Sequence, residues 1–307
     1  MIYDYYLSRT NIKDFERWDK EKEGSLKNYK KKKWKEKDAK EKYKLWLEDV
    51  FTRPLAQDKK EILDNLKEKK DCNDFYPKSE DLQNFPENSV LIKISFTLKK
   101  PYTSKDEGEF HIIDGIIFEN PIVRDKFTGF PMIRPSTWKG HLRFAARMVE
   151  WNRGDKEKII RRLFGNESED DNVLEGRLYF FPTFFEEEPK RDVITPLKRD
   201  TRTPVKGRSP IPIEVMKRGA KGEFHLLYIP YPKGKNFKEE EIKEDLKFLA
   251  EALKLMFYTY GFSAKKTSGF GVIEKLKEDN IEVHPGDKKS IFSILYTRVN
   301  NNVNHSV

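Results

Sequence analysis

The residues best suited to chemistry in this 307-residue sequence are cations at a regular spacing. Lys139, Arg143 and Arg147 recur every fourth residue, so a helix would put all three on one face. Trp138, Leu142, Ala145, Ala146 and Val149 recur at the spacing of a buried stripe. Upstream, Pro121, Pro131, Pro135 and Gly129 forbid a helix before Pro135. Ser136 or Thr137 is then expected to supply the N-cap oxygen. A helix start offers unpaired N–H groups and a positive dipole end, so this stretch, with Arg134 and Ser136 beside it, suits a phosphate. An ordinary amphipathic helix with a solvated basic face would carry the same pattern.

Two further stretches are candidates for binding a polyanion. Between Lys190 and Arg218 stand Lys190, Arg191, Lys198, Arg199, Arg202, Lys206, Arg208, Lys217 and Arg218, opposed only by Asp192, Asp200 and Glu214, for a net of +6. Pro196, Pro204, Pro210 and Pro212 keep this segment extended, and Ile211–Val215 could return as a strand. An extended basic ribbon is well shaped to reach nucleic acid; a disordered basic loop is the alternative. Near the end of the chain, Gly261, Gly269 and Gly271 would free the backbone for close approach to another chain. Within that run Lys265 and Lys266 supply charge, while Thr267 and Ser268 offer hydroxyl donors.

Other chemistries find no support. Cys72 is the only cysteine, which excludes an intrachain disulfide and a cysteine-based zinc cluster. The histidines at 111, 141, 225, 284 and 305 show no metal-ligand spacing. Neither a serine–histidine–acid arrangement nor a Walker loop is legible, which argues against hydrolases and NTPases. Hydrophobic residues make up 36% and charged residues 37%, so a soluble protein with a modest core is expected. The net charge of +9 favours polyanionic partners, although a thermophile-like Lys/Glu surface would look similar. With no run of eighteen apolar residues and no signal peptide, the reading is cytoplasmic, without a membrane partner.

The elements that must position these residues follow from periodicity. Residues 1–85 read as a Lys-rich helical extension, with helices near 10–22, 28–50 and 57–70 and a proline-bounded linker from Pro77 to Pro86. Strands are expected at Val90–Leu98, Gly176–Phe185, Gly222–Ile229 and Gly271–Leu276. Helices fall between the first two strands and, from Glu239 to Tyr260, between the last two. The order β-α-β-β-α-β predicts an α+β fold of the ferredoxin-like or RNA-recognition-like kind. On this reading the core domain spans 86–278, the basic insertion about 190–218, and a C-terminal tail 279–307.

The run from Glu119 to Arg143 resembles the signature of the RAMP superfamily of CRISPR systems, the repeat-associated mysterious proteins. The matching positions are Glu119, Pro121, Ile122, Arg124, Asp125, Thr128, Gly129, Pro131, Ile133, Ser136, Thr137, Lys139, Gly140, Leu142 and Arg143. The glycine-containing run Gly261–Gly271 matches the superfamily's second mark, in the family's order and separation. The resemblance covers roughly Val90 to Leu276. It implies the RNA-recognition-like fold, and more narrowly a backbone subunit of a type III CRISPR effector complex. The partners it implies are the CRISPR guide RNA, complementary target RNA, other effector subunits, and copies or paralogues along the guide. It also makes the insertion, over Val193–Val215, the thumb that wedges between guide and target strands.

In such backbone subunits an aspartate just before the signature's first proline helps to cut target RNA. Here Glu119 occupies that position, with Asp114 five residues earlier as a substitute. A glutamate binds Mg2+ or Mn2+ through oxygen as an aspartate does, but its extra methylene displaces the carboxylate, and such misplacement can cost about 100-fold in rate. Two readings of different class therefore stand: a metal-dependent endoribonuclease with Glu119 as catalytic and metal-binding residue, or a structural RNA-binding subunit. A guide-processing endoribonuclease would want a general base such as His111.

Overall fold

The structure is a computed structural model that describes residues 75–104, 111–113, 116–118, 122–125, 128–165, 175–195, 198, 200–201, 203–204, 210–233, 237–265 and 268–296. The helices expected before residue 75 lie outside the described residues. So do Asp114, Glu119, Arg199, Arg202, Lys206, Arg208, Lys266 and Thr267. The strands are β1 (Val90–Thr97), β2 (His111–Ile113), β3 (Ile116–Phe118), β4 (Met132–Ile133), β5 (Leu178–Phe180), β6 (Thr183–Phe184), β7 (Lys190–Ile194), β8 (Ile211–Val215), β9 (Lys221–Tyr228) and β10 (Ile281–His284). The helices are α1 (Pro135–Arg147), α2 (Lys156–Phe164) and α3 (Glu240–Leu255).

The chain forms two units. One is drawn, among the described residues, from Ser104–Pro131 and Pro189–Val215; the other from Cys72–Thr103, Met132–Glu188 and the chain from Met216 onward. The second unit is built on a four-stranded antiparallel sheet in the order β10-β1-β9-β5. The fold is therefore α+β with antiparallel sheets. Alternation in β1 sends Ile92, Ile94 and Phe96 to one face, where they pair with Leu226, Phe224 and Gly222 of β9. Gly222 is required there, because a Cβ would meet the Phe96 ring at 2.8 Å.

An aromatic cluster covers that face. Trp138 of α1 stands 4.8 Å from Phe224 and 4.5 Å from Phe262, ring centre to ring centre, with Phe96 and Phe257 close by. On α3 Leu246, Leu249, Ala250 and Leu253 are buried, as is Phe257 beyond its end. The sheet's opposite face is mixed: Leu91 and Leu227 are buried, while Lys93 pairs with Glu223 at 3.2 Å and Glu282 at 3.8 Å, and Tyr76 stacks on His225 at 3.9 Å.

Beside the sheet, Asp245 of α3 is fully buried. It accepts from Arg162 of α2 at 2.7 Å, from Arg177 at 2.8 Å and from the Tyr228 hydroxyl of β9 at 3.0 Å. Burial pushes the Asp245 carboxyl upward while the two guanidiniums pull it down. A carboxylate with three donors is how a buried charge is tolerated, and here it ties α2, α3 and β9 together.

Three expectations are corrected. The single strand over Gly176–Phe185 is broken into β5 and β6, because Pro182 between them has no N–H to continue a ladder. The stretch Gly271–Leu276 is no strand. It makes only isolated bridges, Leu98 to Ile273 and Leu276 to Tyr296, and the sheet's last strand is β10, paired with β1 from Leu91–His284 to Ile94–Ile281. The helix predicted to Tyr260 is α-helical only to Leu255, then widens to a π-turn over Met256–Tyr260 that Gly261 closes by donating to the Met256 carbonyl at 2.9 Å. Among the described residues no helix is long and apolar enough to cross a membrane.

Candidate nucleic-acid interface

Helix α1 forms where the proline pattern requires, but its cap differs from expectation. Arg134 is the N-cap, extended at φ −67° and ψ 148°, and Pro135 takes the first helical position. No side chain caps the helix, so neither Ser136 nor Thr137 spends its oxygen there. Proline's fixed φ starts the helix in their place. Arg134 is half-buried, and Ser136 is exposed in the first turn.

The reverse side of α1 explains why its cations stay outward. Trp138, Leu142, Ala145 and Ala146 are fully buried, and the Trp138 indole donates to the Thr183 hydroxyl at 3.1 Å. That hydroxyl in turn donates to the Glu223 carbonyl at 2.6 Å, which fixes the helix's rotation against β6 and β9. Lys139 and Arg147 are exposed, and Arg143 is half-buried. The three cations follow one another along the helix, but only two stand clear of the core.

In the other unit the basic insertion has a stem. β7 and β8 pair antiparallel from Lys190–Val215 to Ile194–Ile211, so the strand expected at Ile211–Val215 is present and its partner is Lys190–Ile194. Lys190 and Arg191 are exposed, and Lys198 is exposed with its N–H donating to the Thr203 carbonyl at 2.9 Å. The apolar Val193 and Ile211 are exposed too.

The glycine-containing run is used largely within the chain. Gly261 (φ 72°) and Gly271 (φ 77°) lie where a Cβ would strike backbone: the Phe270 carbonyl for Gly261, the Ser263 nitrogen for Gly271. Close approach at these two glycines is thus between two segments of the same chain, sealed by the Phe262 N–H to the Gly271 carbonyl at 3.1 Å. Gly269 (φ 72°) faces open space, and Lys265 and Ser268 beside it are exposed.

Sequence reasoning missed one pair. Glu214, counted above only as a charge against the insertion's cations, is 1% exposed. It accepts from the Ile122 N–H at 2.8 Å and from Arg124 at 3.4 Å. Arg124 also donates to the Gly129 carbonyl at 3.0 Å. The signal was present: a lone acid inside the apolar run Ile-Pro-Ile-Glu-Val. Among the described residues no group of three or more His, Cys, Asp and Glu could hold a metal ion.

The family model described as RAMP superfamily matches residues 107–274, more than half of the chain. The chain belongs to the RAMP superfamily. The match covers β2 through the glycine-containing run. Among curated relatives, the CRISPR system Cms endoribonuclease Csm3 of Streptococcus thermophilus is 28% identical over an alignment of 179 residues that covers 53% of this chain and 78% of that protein. Among solved structures, a chain of the cryo-EM structure of the Type III-B Cmr-beta bound to cognate target RNA aligns at 20% identity with a TM-score of 0.47, over 82% of this chain and 77% of that one.

Proposed function

We propose that this RAMP protein is a guide-RNA-binding backbone subunit of a type III CRISPR effector complex. The observation that carries the reading is α1, whose Trp138 side is locked into the core while Lys139, one turn from the exposed Ser136, and Arg147, in the last turn, are exposed. Its partners are then the guide RNA, complementary target RNA, the other effector subunits, and copies or paralogues of itself along the guide. The sheet order β10-β1-β9-β5 supports a ferredoxin-like core, since it places the fourth, first, third and second strands of a β-α-β-β-α-β chain side by side. The β7–β8 stem supports reading Val193–Val215 as the thumb.

Cleavage of the target is part of this proposal, and the named activity of the Csm3 relative favours it. Carboxylate oxygens are the donors that Mg2+ and Mn2+ take, and Glu119 would hold such an ion, with Asp114 as the alternative. The ion would stabilise charge on the phosphate under attack. The two positions are read as alternatives rather than as one pair. The structural reading keeps one observation in its favour, the glutamate where the family uses aspartate.

The deciding experiment is to isolate the protein with its bound RNA, sequence that RNA, and add complementary target with Mg2+, Mn2+ or a chelator. Repeat-derived guides and chelator-sensitive cutting that Glu119→Ala abolishes are the expected result. Cutting that survives Glu119→Ala but not Asp114→Ala moves the role to Asp114. Target binding without cutting in either metal leaves a scaffold for RNA.

A further inference from the structure

We propose that Glu214, a residue of the insertion, is the positioning residue for the loop that follows Glu119; its role in cutting rests on the reading of Glu119 above. The turn over Asp125–Phe130 is held by its own bonds. Gly129 donates to the Asp125 carbonyl at 2.8 Å, Asp125 to the Phe130 carbonyl at 2.9 Å, and the Thr128 N–H to the Asp125 side chain at 2.7 Å. Ile122, on the side of this turn nearer Glu119, is anchored differently: its N–H goes to the Glu214 carboxylate at 2.8 Å, and the next N–H, of Val123, goes to the Ser104 hydroxyl at 2.9 Å.

The second Glu214 oxygen faces Arg124, whose other nitrogen holds the Gly129 carbonyl at 3.0 Å. One buried carboxylate therefore grips the loop at Ile122 directly and at Gly129 through Arg124. A buried carboxylate persists only where its oxygens are paired, so the loop and the foot of β8 hold each other in place. Ile122 is three residues from Glu119, at most about 10 Å along the chain, so a slip at Ile122 is passed to that carboxylate.

The charge to Arg124 and the bond to Ile122 can be separated by substitution. Glu214→Gln keeps an oxygen that can accept from Ile122 but loses the charge. Glu214→Asp keeps the charge but falls a methylene short of Ile122. Each is assembled with guide RNA and measured three ways: hydrogen exchange at Ile122, affinity for complementary target, and single-turnover cutting in Mg2+ or Mn2+.

In the Glu214→Ala protein, exchange at Ile122 should rise at least about 10-fold, as for an amide that loses its hydrogen bond. Cutting should fall about 100-fold, while target affinity stays within about two-fold. Glu214→Gln should retain most protection and cutting, and Glu214→Asp should lose both. The proposal is overturned if Glu214→Ala leaves exchange at Ile122 unchanged, or if Glu214→Asp behaves like wild type while Glu214→Gln fails, since the ion pair would then be what matters. Should Glu214→Ala not fold, the Gln and Asp variants decide alone. If the exchange pattern appears but wild-type assemblies never cut, the cleavage reading fails and the loop-positioning role stands.

Discussion

In the unit built on the four-stranded sheet, the cations of α1 stand on a helix whose reverse is an aromatic core, with Trp138 within 5 Å of two phenylalanine rings, at 4.5 and 4.8 Å. In the unit drawn from Ser104–Pro131 and Pro189–Val215, the signature loop, with Ile122, Val123 and Phe130 buried, is also pinned by directed hydrogen bonds and one buried ion pair. The first kind of support is non-directional, so it tolerates surface change and fails only when volume is removed. The second is directional, and loss of a single oxygen can displace the backbone it holds. The largest effects should come from attacking each support at its centre.

Trp138→Ala removes a fully buried indole and leaves the Thr183 hydroxyl without its donor. A loss of about 3–5 kcal/mol is expected, read as a fall in the denaturation midpoint of the purified protein. A loss near zero would mean that the aromatic cluster does not hold α1, and the contrast between the units would collapse.

The hairpin supplies the counterpart. Deleting Val193–Val215 removes Glu214 and leaves Arg124 buried without that carboxylate, which should cost about 3–5 kcal/mol. Trimming only 196–209 keeps the β7–β8 stem and shortens a loop, so stability should change by less than about 1 kcal/mol. Guide-dependent target binding should suffer in both. Equal denaturation midpoints for the two deletions would show that Glu214 bears no weight.

These contrasts also show what the sequence could and could not reveal. Val90–Thr97 is rich in β-branched residues, and Lys221–Tyr228 ends in the largely apolar run Phe-His-Leu-Leu-Tyr, so both central strands are legible within a residue or two. α1 is legible because its buried stripe and its basic face both run at helical spacing. The edge strand β10 is only Ile-Glu-Val-His, too short for periodicity to single out, and the glycine-flanked Gly271–Leu276 drew the strand assignment instead. The Glu214–Ile122 bond joins residues 92 apart, and no local pattern announces a contact of that span. The cations could be found because spacing along a helix is local; the carboxylate's role could not, because its partner is brought in by the fold.

His225 gives a smaller effect with a defined pH window. Burial in the sheet pushes its imidazole pKa down to about 4; Glu223 opposes the shift and Lys93 reinforces it. The folded group is neutral where the unfolded chain begins to take a proton, near 6.5. The stability it contributes is therefore present above about pH 6.5, lost progressively as the pH falls, and fully lost below about 4, for a total of roughly 3 kcal/mol. His225→Phe keeps a ring for Tyr76 to stack on and should flatten denaturation midpoints across that window. An unchanged slope in His225→Phe would assign the acid sensitivity to other groups.

The smallest effect on stability is expected where the largest on RNA binding lies. Lys139 and Arg147 are exposed on α1, and neither contributes to the aromatic core, so replacing both by alanine should change stability by no more than about 0.5 kcal/mol. Arg143 is left in place because it is half-buried, and truncating it would mix packing with charge. If each of the two cations neutralises one phosphate of a single-stranded guide, the slope of log affinity against log salt should fall by about 0.7 per residue removed. The measurement is guide affinity from low to moderate salt for the wild type and the double variant, alongside their denaturation curves. A slope that stays the same, with the fold intact, would take α1 out of the RNA interface and turn attention to the exposed cations of the insertion and to Lys265. A slope that falls with no change in stability would show that the core holds α1 and that these two cations serve the RNA.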